Sequence, residues 1–258
     1  MIKLIIAALI GFLVGILGGM VGLVLGSLRL PAVYAVIPSP HVVAGTALGI
    51  NTLAAFVSAA KHCKAGRIDL YVFLFMGSFS WVGAFLGGYF CGLIPPGILL
   101  IMIGAVLIHS GVTLFREKKK ESKKVEVVTK KAEKGKIIGA SFWGFVVGVI
   151  GGMVGLILGE LRLPVMLKRL KMDPRIAAGT NVTIGFFSGL FGFVGHVLHG
   201  NFDIIVLVAM GSASMVGAYV GAHLTGVVKR ETLMKAIGAT LILIAIFLIK
   251  KGISLQFF

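Results

Sequence analysis

Two arginines stand at matching positions in two long apolar stretches of the sequence. Arg29 lies in GFLVGILGGMVGLVLGSLRLP, residues 11–31, and Arg162 lies in GFVVGVIGGMVGLILGELRLP, residues 144–164; sixteen of the twenty-one positions are identical. A guanidinium group holds an oxyanion through two parallel hydrogen bonds. A charge within a membrane costs roughly 3 kcal/mol or more unless it is paired or hydrated. The two arginines therefore predict an anion site, or else each reaches the membrane surface or neutralises an acid such as Glu160.

Other polar side chains in apolar segments are candidates for the same site. Glu160 stands where the first copy has Ser27, and it could pair with Arg29 or carry protons. Two matched histidines, His62 and His196, could serve at helix ends or in proton transfer. Two Ala-Gly-Thr signatures open later segments, and the hydroxyls and amides there could line a polar cavity or bond to neighbouring backbone. These hydroxyl and amide candidates are Thr46, Asn51, Thr180, Asn181 and Thr183.

The elements that position these residues are expected to be membrane helices. The chain has 258 residues, of which 58% are hydrophobic and 13% charged, and a soluble protein of this length could not cover so much apolar surface. Long apolar runs indicate helices, because only helices and closed barrels satisfy the backbone in lipid. We therefore predict an all-α polytopic membrane protein. Nothing resembles a catalytic set or a metal cluster, so we expect no enzyme, no cofactor and no metal.

The net charge of +16 does not indicate binding to nucleic acid. Residues 116–136 alone hold ten Lys or Arg against four Glu. Most other basic residues lie at the ends of apolar segments, as topology signals do. We interpret residues 116–136 as a basic cytoplasmic linker.

This linker joins two homologous membrane repeats, residues 1–115 and 137–258. The repeat extends beyond the opening stretch, since Gly66-x-x-Asp69 recurs as Gly200-x-x-Asp203. Each aspartate is expected to cap the helix that follows it. Each repeat is expected to contain a glycine-broken helix pair and three ordinary spans. The predicted segments are 3–20, 22–37, 42–60, 69–92 and 97–115 in the first repeat, and 137–153, 155–170, 176–198, 203–226 and 232–249 in the second.

The glycines of the repeated stretch favour two roles. Glycines four residues apart, such as Gly144, Gly148 and Gly152, let helix backbones approach closely. The pairs Gly18-Gly19 and Gly151-Gly152 are predicted to break their helices. A broken helix exposes backbone N–H groups and a positive half-helix end, which suits an anion near the middle of the membrane.

The orientation of the repeats depends on whether the broken stretch crosses the membrane. If it crosses once, 16 of the 25 Lys and Arg residues lie on the cytoplasmic side; if the chain folds back, the repeats are inverted and 20 lie there. Cytoplasmic segments carry an excess of Lys and Arg. The distribution of charge therefore predicts inverted repeats.

A set of motifs runs through both repeats. In the first they are Gly18-Gly19-x-x-Gly22-x-x-x-Gly26 followed by Pro31, Pro40-His41-x-x-Ala44-Gly45-Thr46, and His62-x-x-x-Gly66-x-x-Asp69; the second has Arg175 in place of His41. With these motifs the chain resembles the sulfite exporter TauE/SafE family, also called the toluene-sulfonate uptake permease superfamily. The resemblance implies a multi-pass permease for sulfur-containing anions such as sulfite and organosulfonates.

The chain also departs from the pattern of that family. The family usually carries a glycine triplet where this chain has Val24-Leu25-Gly26 and Ile157-Leu158-Gly159. It usually has an apolar residue where Arg29 and Arg162 stand. A different size or charge of substrate follows from these departures.

We therefore expect a secondary transporter of a small sulfur oxyanion or sulfonate in the cell membrane. The arginines, the two glycine pairs and the Thr/Asn candidates would bind the anion, and Glu160 or a histidine would couple its transport to protons. The alternatives are a transporter of a carboxylate or inorganic anion, and a non-transporting membrane protein that uses the linker as a docking arm. The expected partners are a small anion and the lipid bilayer, not nucleic acid; homo-oligomer formation stays open.

Overall fold

The structure is a computed structural model that describes residues 2–21, 26–116, 134–223 and 230–257. Val24, Leu25 and residues 117–133 of the predicted linker lie outside the described residues. The described residues form α-helices joined by short turns. The helices are α1 (Ile2–Val21), α2 (Gly26–Val36), α3 (Pro40–Lys64), α4 (Leu70–Phe90), α5 (Pro96–Arg116), α6 (Lys134–Val154), α7 (Gly159–Lys168), α8 (Pro174–Val197), α9 (Ile204–His223) and α10 (Arg230–Phe257), with a 3-10 turn at Cys91–Leu93 after α4.

In the described part of the chain, six helices are long and apolar enough to cross a membrane: α3, α4, α5, α6, α8 and α10. Helices α1 and α9 contain shorter apolar stretches, Leu4–Leu17 and Ile204–Val220. Helices α2 and α7 have 11 and 10 residues, so each is about 16 Å long and cannot cross about 30 Å of hydrocarbon. The predicted all-α membrane architecture is confirmed, including a short helix after a long one in each repeat.

The break in the second repeat comes later than the predicted glycine pair. Helix α6 continues through Gly151-Gly152 to Val154, and it ends at Gly155, which has a φ of +77°. The prediction of a break at Gly151-Gly152 is therefore wrong by three residues. The physical reason is packing: a Cβ atom at Gly152 would lie 3.0 Å from the backbone nitrogen of Gly88, so Gly152 serves close helix contact and Gly155 serves the turn. Gly18-Gly19 likewise lie within helix α1, which ends at Val21.

Each repeat packs its first helix against a helix of the other repeat. Helix α1 packs on α9 and α6 packs on α4, whereas the equivalent helices α3 and α8 pair with each other, as do α5 and α10. Glycines allow this packing: a Cβ atom at Gly144 would lie 2.9 Å from the Met76 carbonyl oxygen, and one at Gly148 would collide with the Ser80 carbonyl oxygen. The packing role predicted for the glycines spaced by four is confirmed.

The order of these close approaches gives the direction of each helix. Gly45 faces His196 and Leu48 faces Gly192, so the equivalent helices α3 and α8 run antiparallel. Helix α1 runs parallel to α9, because Gly11 faces Met210 and Gly15 faces Ala218.

Helices α9 and α3 are also parallel, because Gly49 faces Leu207 and Gly211 faces Leu53. Helices α1 and α3 therefore start at the same side of the molecule. The chain returns to that side through the segment that contains the short helix α2.

Two reciprocal hydrogen bonds tie the repeats together. The backbone N–H of Asp203 donates to Thr46 Oγ1 at 2.9 Å, and that of Asp69 donates to Thr180 Oγ1 at 2.9 Å. The carboxylate of each aspartate also accepts backbone N–H groups from the first turn of the next helix, which confirms the predicted caps. Each Ala-Gly-Thr signature thus holds the Gly-x-x-Asp turn of the opposite repeat.

Candidate functional site

The short helices α2 and α7 carry the two arginines into the interior of the protein. Arg29 is 2% exposed and Arg162 is 1% exposed, and they are the largest fully buried side chains of the described residues. Neither guanidinium reaches the surface. The alternative in which each arginine extends to the membrane surface is therefore not what the structure contains.

The Arg162 centre consists of one guanidinium and three polar side chains. Arg162 donates from Nε to Asn181 Oδ1 at 3.2 Å. Its Nη1 atom donates to Ser80 Oγ at 2.9 Å and to Ser188 Oγ at 3.3 Å. The third nitrogen, Nη2, is fully buried and has no partner among the described residues. This centre joins helices α4, α7 and α8.

The Arg29 centre is built similarly but has fewer partners. Arg29 Nη1 donates to Asn51 Oδ1 at 3.2 Å, and the amide nitrogen of Asn51 lies 3.5 Å from the Gly155 carbonyl oxygen. The Nε group of Arg29 is buried without a partner in the described part of the chain. This centre joins α2 and α3 to the turn after α6.

A glycine makes room for the asparagine in each centre. A Cβ atom at Gly26 would lie 2.6 Å from Asn51 Nδ2, and one at Gly159 would lie 2.9 Å from Asn181 Nδ2. Gly26 and Gly159 are equivalent in the repeat, but the asparagines are not, because Asn181 corresponds to Ala47. The structure therefore brings an asparagine to each arginine, but the two asparagines stand at repeat positions that differ by four residues, or one helical turn.

Two small cavities lie on either side of the non-helical segment 156–158. The first is lined by Gly26, Ser27, Asn51, Glu160 and residues 156–158. The second is lined by Arg162, Ser188, residues 156–158 and the glycines of α6 and α8. Each has about 10 Å³ of free volume, which is room for about one water molecule. The cavities described here are therefore too small to hold an anion such as sulfite, and both arginines are buried.

Glu160 hydrogen-bonds to a serine and to neither of the two buried arginines in the structure. Its carboxylate accepts a hydrogen bond from the Ser110 hydroxyl of α5. The hydrogen bonds of both guanidiniums go to amide and hydroxyl oxygens throughout the described residues. Neither guanidinium therefore hydrogen-bonds to an acid among the described residues, although Glu160 lies close enough to Arg162 to interact with it electrostatically.

The two histidines occupy unlike surroundings despite their matched positions. His196 is fully buried, and its Nε2 lies 2.8 Å from the Gly152 carbonyl oxygen. His62 lies near the end of α3 and is partly exposed. Neither histidine hydrogen-bonds to Arg29 or Arg162 among the described residues. Thr46 and Thr180 also lie away from the arginines' hydrogen bonds, since their hydroxyls hold the opposite repeat. Thr183 bonds to the Gly179 carbonyl oxygen of its own helix.

Three serines of the site were not among the sequence-based candidates. Ser80, Ser188 and Ser110 lie in largely apolar helices and are 0%, 5% and 4% exposed. Isolated serines are common in membrane helices, where they bond to their own backbone. One signal was available: Ser80 recurs in the second repeat as Ser214.

Comparison with known proteins gives one family. The family described as "Sulfite exporter TauE/SafE" matches residues 7–248. The chain is 25% identical over 207 residues to the probable membrane transporter protein YdhB of Bacillus subtilis (strain 168), covering 78% of this chain and 81% of that protein. It is 25% identical over 226 residues to the probable membrane transporter protein YunE of the same strain, covering 83% of each. No solved structure matches the chain.

Proposed function

The chain belongs to the sulfite exporter TauE/SafE family of membrane transporters, and from this premise we propose that it moves a small sulfur-containing oxyanion, such as sulfite or an organosulfonate, across the cell membrane. It is a transporter and not an enzyme. The substrate class extends the family description to this chain. The rest of the proposal rests on the two buried arginines.

One observation carries the proposal: Arg29 and Arg162 are buried, each has an N–H group without a partner, and neither hydrogen-bonds to an acid among the described residues. A buried charge that lacks its partner costs about 3–5 kcal/mol. A protein that keeps two such charges in a membrane interior gains stability when an anion binds beside them. An anionic substrate supplies that partner, and its oxygens would accept the unused N–H groups of both guanidiniums.

The proposed transport cycle is alternating access between inverted repeats. The equivalent helices α3 and α8 run antiparallel, and so do α5 and α10, which supports a twofold axis lying across the helices. In transporters with inverted repeats, one half rocks against the other around a central site. The closed cavities beside residues 156–158 correspond to the occluded step of such a cycle. In this arrangement the broken pair returns to the side on which it started, and the excess of Lys and Arg supports a cytoplasmic location for the basic linker.

Proton coupling is proposed to use Glu160. The acid lines the cavity that contains Asn51, and Ser110 donates to its carboxylate. Intramembrane acids commonly serve proton movement in transporters. His196 is less suited to this role, since its ring is bonded to the Gly152 carbonyl oxygen within the core, and His62 lies at a helix end.

Flux into proteoliposomes tests the proposed function. Purified protein is reconstituted, loaded with unlabelled sulfite, and exchanged against external labelled sulfite. Excess methanesulfonate should compete with the label, whereas acetate should compete weakly. Strong competition by acetate or chloride would assign the protein to carboxylates or inorganic anions. An absence of flux for every anion would favour a membrane protein that does not transport.

A further inference from the structure

The two arginine centres differ, although the repeats that contain them are homologous. Arg162 has two serine partners, and the hydrogen bond shown for Arg29 goes to an asparagine. The repeat counterpart of Ser188 is Ala54, which has no hydroxyl group. The counterpart of Ser80 is Ser214, whose hydroxyl donates to the Gly11 carbonyl oxygen at 3.0 Å.

The hydrogen-bonding capacity of the Arg162 centre is unbalanced. Ser80 Oγ accepts from Arg162 Nη1 and also from Ser188 Oγ at 3.1 Å. A hydroxyl has two lone pairs and one proton. Both lone pairs of Ser80 accept hydrogen bonds, and its proton has no acceptor among the described residues. The direction of the bond between the two serines does not change this, because one hydroxyl proton of the pair is left over in either case.

The Nη2 atom of Arg162 adds two further N–H groups that have no acceptor among the described residues. This nitrogen is buried and has no partner in the described part of the chain, and it shares its carbon atom with Nη1, which binds both serines. The centre therefore has three donors without an acceptor among the described residues, and no carboxylate hydrogen-bonds to it there. Its chemical complement is a group with several acceptor oxygens on one atom.

The cavity beside this centre contrasts with the cavity beside Asn51. Arg162 and Ser188 line the former together with glycines and aliphatic side chains. Glu160 lines the latter, and an ionised carboxylate there would repel an anion. The non-helical residues 156–158 form a common wall of both cavities.

From these contrasts, and resting on the proposed function, we propose that Ser80, Ser188 and Arg162 form a one-sided oxyanion subsite that selects sulfonate and sulfite groups over carboxylates. A sulfonate presents three oxygens on one sulfur atom, which match the two N–H groups and the hydroxyl. A carboxylate presents only two oxygens in one plane, so one oxygen must accept two of the three donors, which fits their directions less well. The free volume of about 10 Å³ is too small for either anion, so binding requires the wall at residues 156–158 to move.

Binding of methanesulfonate and acetate to the purified full-length protein tests the subsite. Both probes carry one methyl group, and they differ in having three oxygens or two. We expect wild-type protein to bind methanesulfonate at least 10-fold more tightly than acetate. Ser80→Ala should weaken methanesulfonate binding about 10-fold or more, since a hydrogen bond to a charged group is lost, and should bring the ratio of the two affinities close to one. Ser188→Ala should lower the same ratio by a smaller factor.

Ser214→Ala is the matched control, because it removes the equivalent hydroxyl from the other repeat. It should leave the ratio of affinities unchanged, and the thermal unfolding midpoint of each variant shows whether it folds. If Ser80→Ala does not fold, Ser188→Ala carries the test. Folded serine variants that keep the wild-type ratio would overturn the subsite while leaving anion transport intact. Wild-type protein that binds neither these probes nor sulfite would overturn the proposed function itself.

Discussion

Replacing Thr46 and Thr180 by valine tests whether the Ala-Gly-Thr signatures hold the two repeats together. Valine has nearly the shape of threonine but cannot accept a hydrogen bond. Each change would leave the partly buried backbone N–H of an aspartate without its 2.9 Å partner, and the loss of a typical hydrogen bond costs about 0.5–1.5 kcal/mol. The two threonines lie near the starts of antiparallel helices and so at opposite ends of the α3–α8 pair. Their effects should therefore add, and the double variant should lose about 1–3 kcal/mol.

Thermal unfolding in detergent, followed by circular dichroism, measures this loss. Thr46→Ser and Thr180→Ser keep the hydroxyl and should retain most of the stability. Thr113→Val is a suitable control, because the exposed hydroxyl of Thr113 bonds to the His109 carbonyl oxygen of its own helix. The reasoning would be refuted if the double valine variant unfolded at the wild-type temperature but bound anion weakly. That result would indicate that the two threonines bind the anion and do not hold the repeats together.

Three further predictions concern the turn, the packing and the proton. Gly148→Ala should destabilise the protein by about 1–3 kcal/mol, because the added methyl group would collide with the Ser80 carbonyl oxygen. Gly135→Ala is the control, because a methyl group at that position of the same helix meets nothing within 4 Å. Equal thermal unfolding midpoints for the two variants would contradict the packing role of Gly148. Gly155→Ala should lower the stability of the protein more than Gly200→Ala. Both glycines have a positive φ, +77° and +66°, but a methyl group at Gly155 would also collide with Ala44. A smaller loss of stability for Gly155→Ala than for Gly200→Ala would count against the role of Gly155 at the turn. Glu160→Gln should abolish the stimulation of sulfite flux by a proton gradient while leaving sulfite exchange, and undiminished stimulation would exclude Glu160 as the coupling group.

Much of the fold could be predicted from the sequence because apolar runs and repeats are strong signals in membrane proteins. The caps at Asp69 and Asp203 and the packing of Gly144 and Gly148 follow from local rules, and the structure contains both. The position of the helix break was harder to predict. Glycines serve both breaks and close packing; both Gly152 and Gly155 are closely packed, and the positive φ of Gly155 identifies it as the glycine at the break.

The composition of the site could be predicted only in part. Arg29 and Arg162 were identifiable because charge is rare in apolar segments, and Asn51 and Asn181 were candidates that the structure places beside them. Ser80 and Ser188 could not be assigned from sequence, since 108 residues separate them and their meeting depends on how α4 packs against α8. A repeat pattern also suggests equal roles for equivalent residues, but Ser188 corresponds to Ala54, and Ser214, the counterpart of Ser80, bonds to the Gly11 carbonyl oxygen.

The most direct test of the central claim is sulfite exchange by proteoliposomes containing wild-type protein, Arg29→Gln or Arg162→Gln. The claim is that the two buried guanidiniums bind the transported anion. Each charged hydrogen bond lost with a guanidinium weakens binding about 10- to 100-fold. We expect wild-type protein to exchange labelled sulfite, and each folded variant to need a sulfite concentration at least 10-fold higher for half-maximal flux. Variants that fold and exchange sulfite with wild-type affinity and rate would contradict the claim.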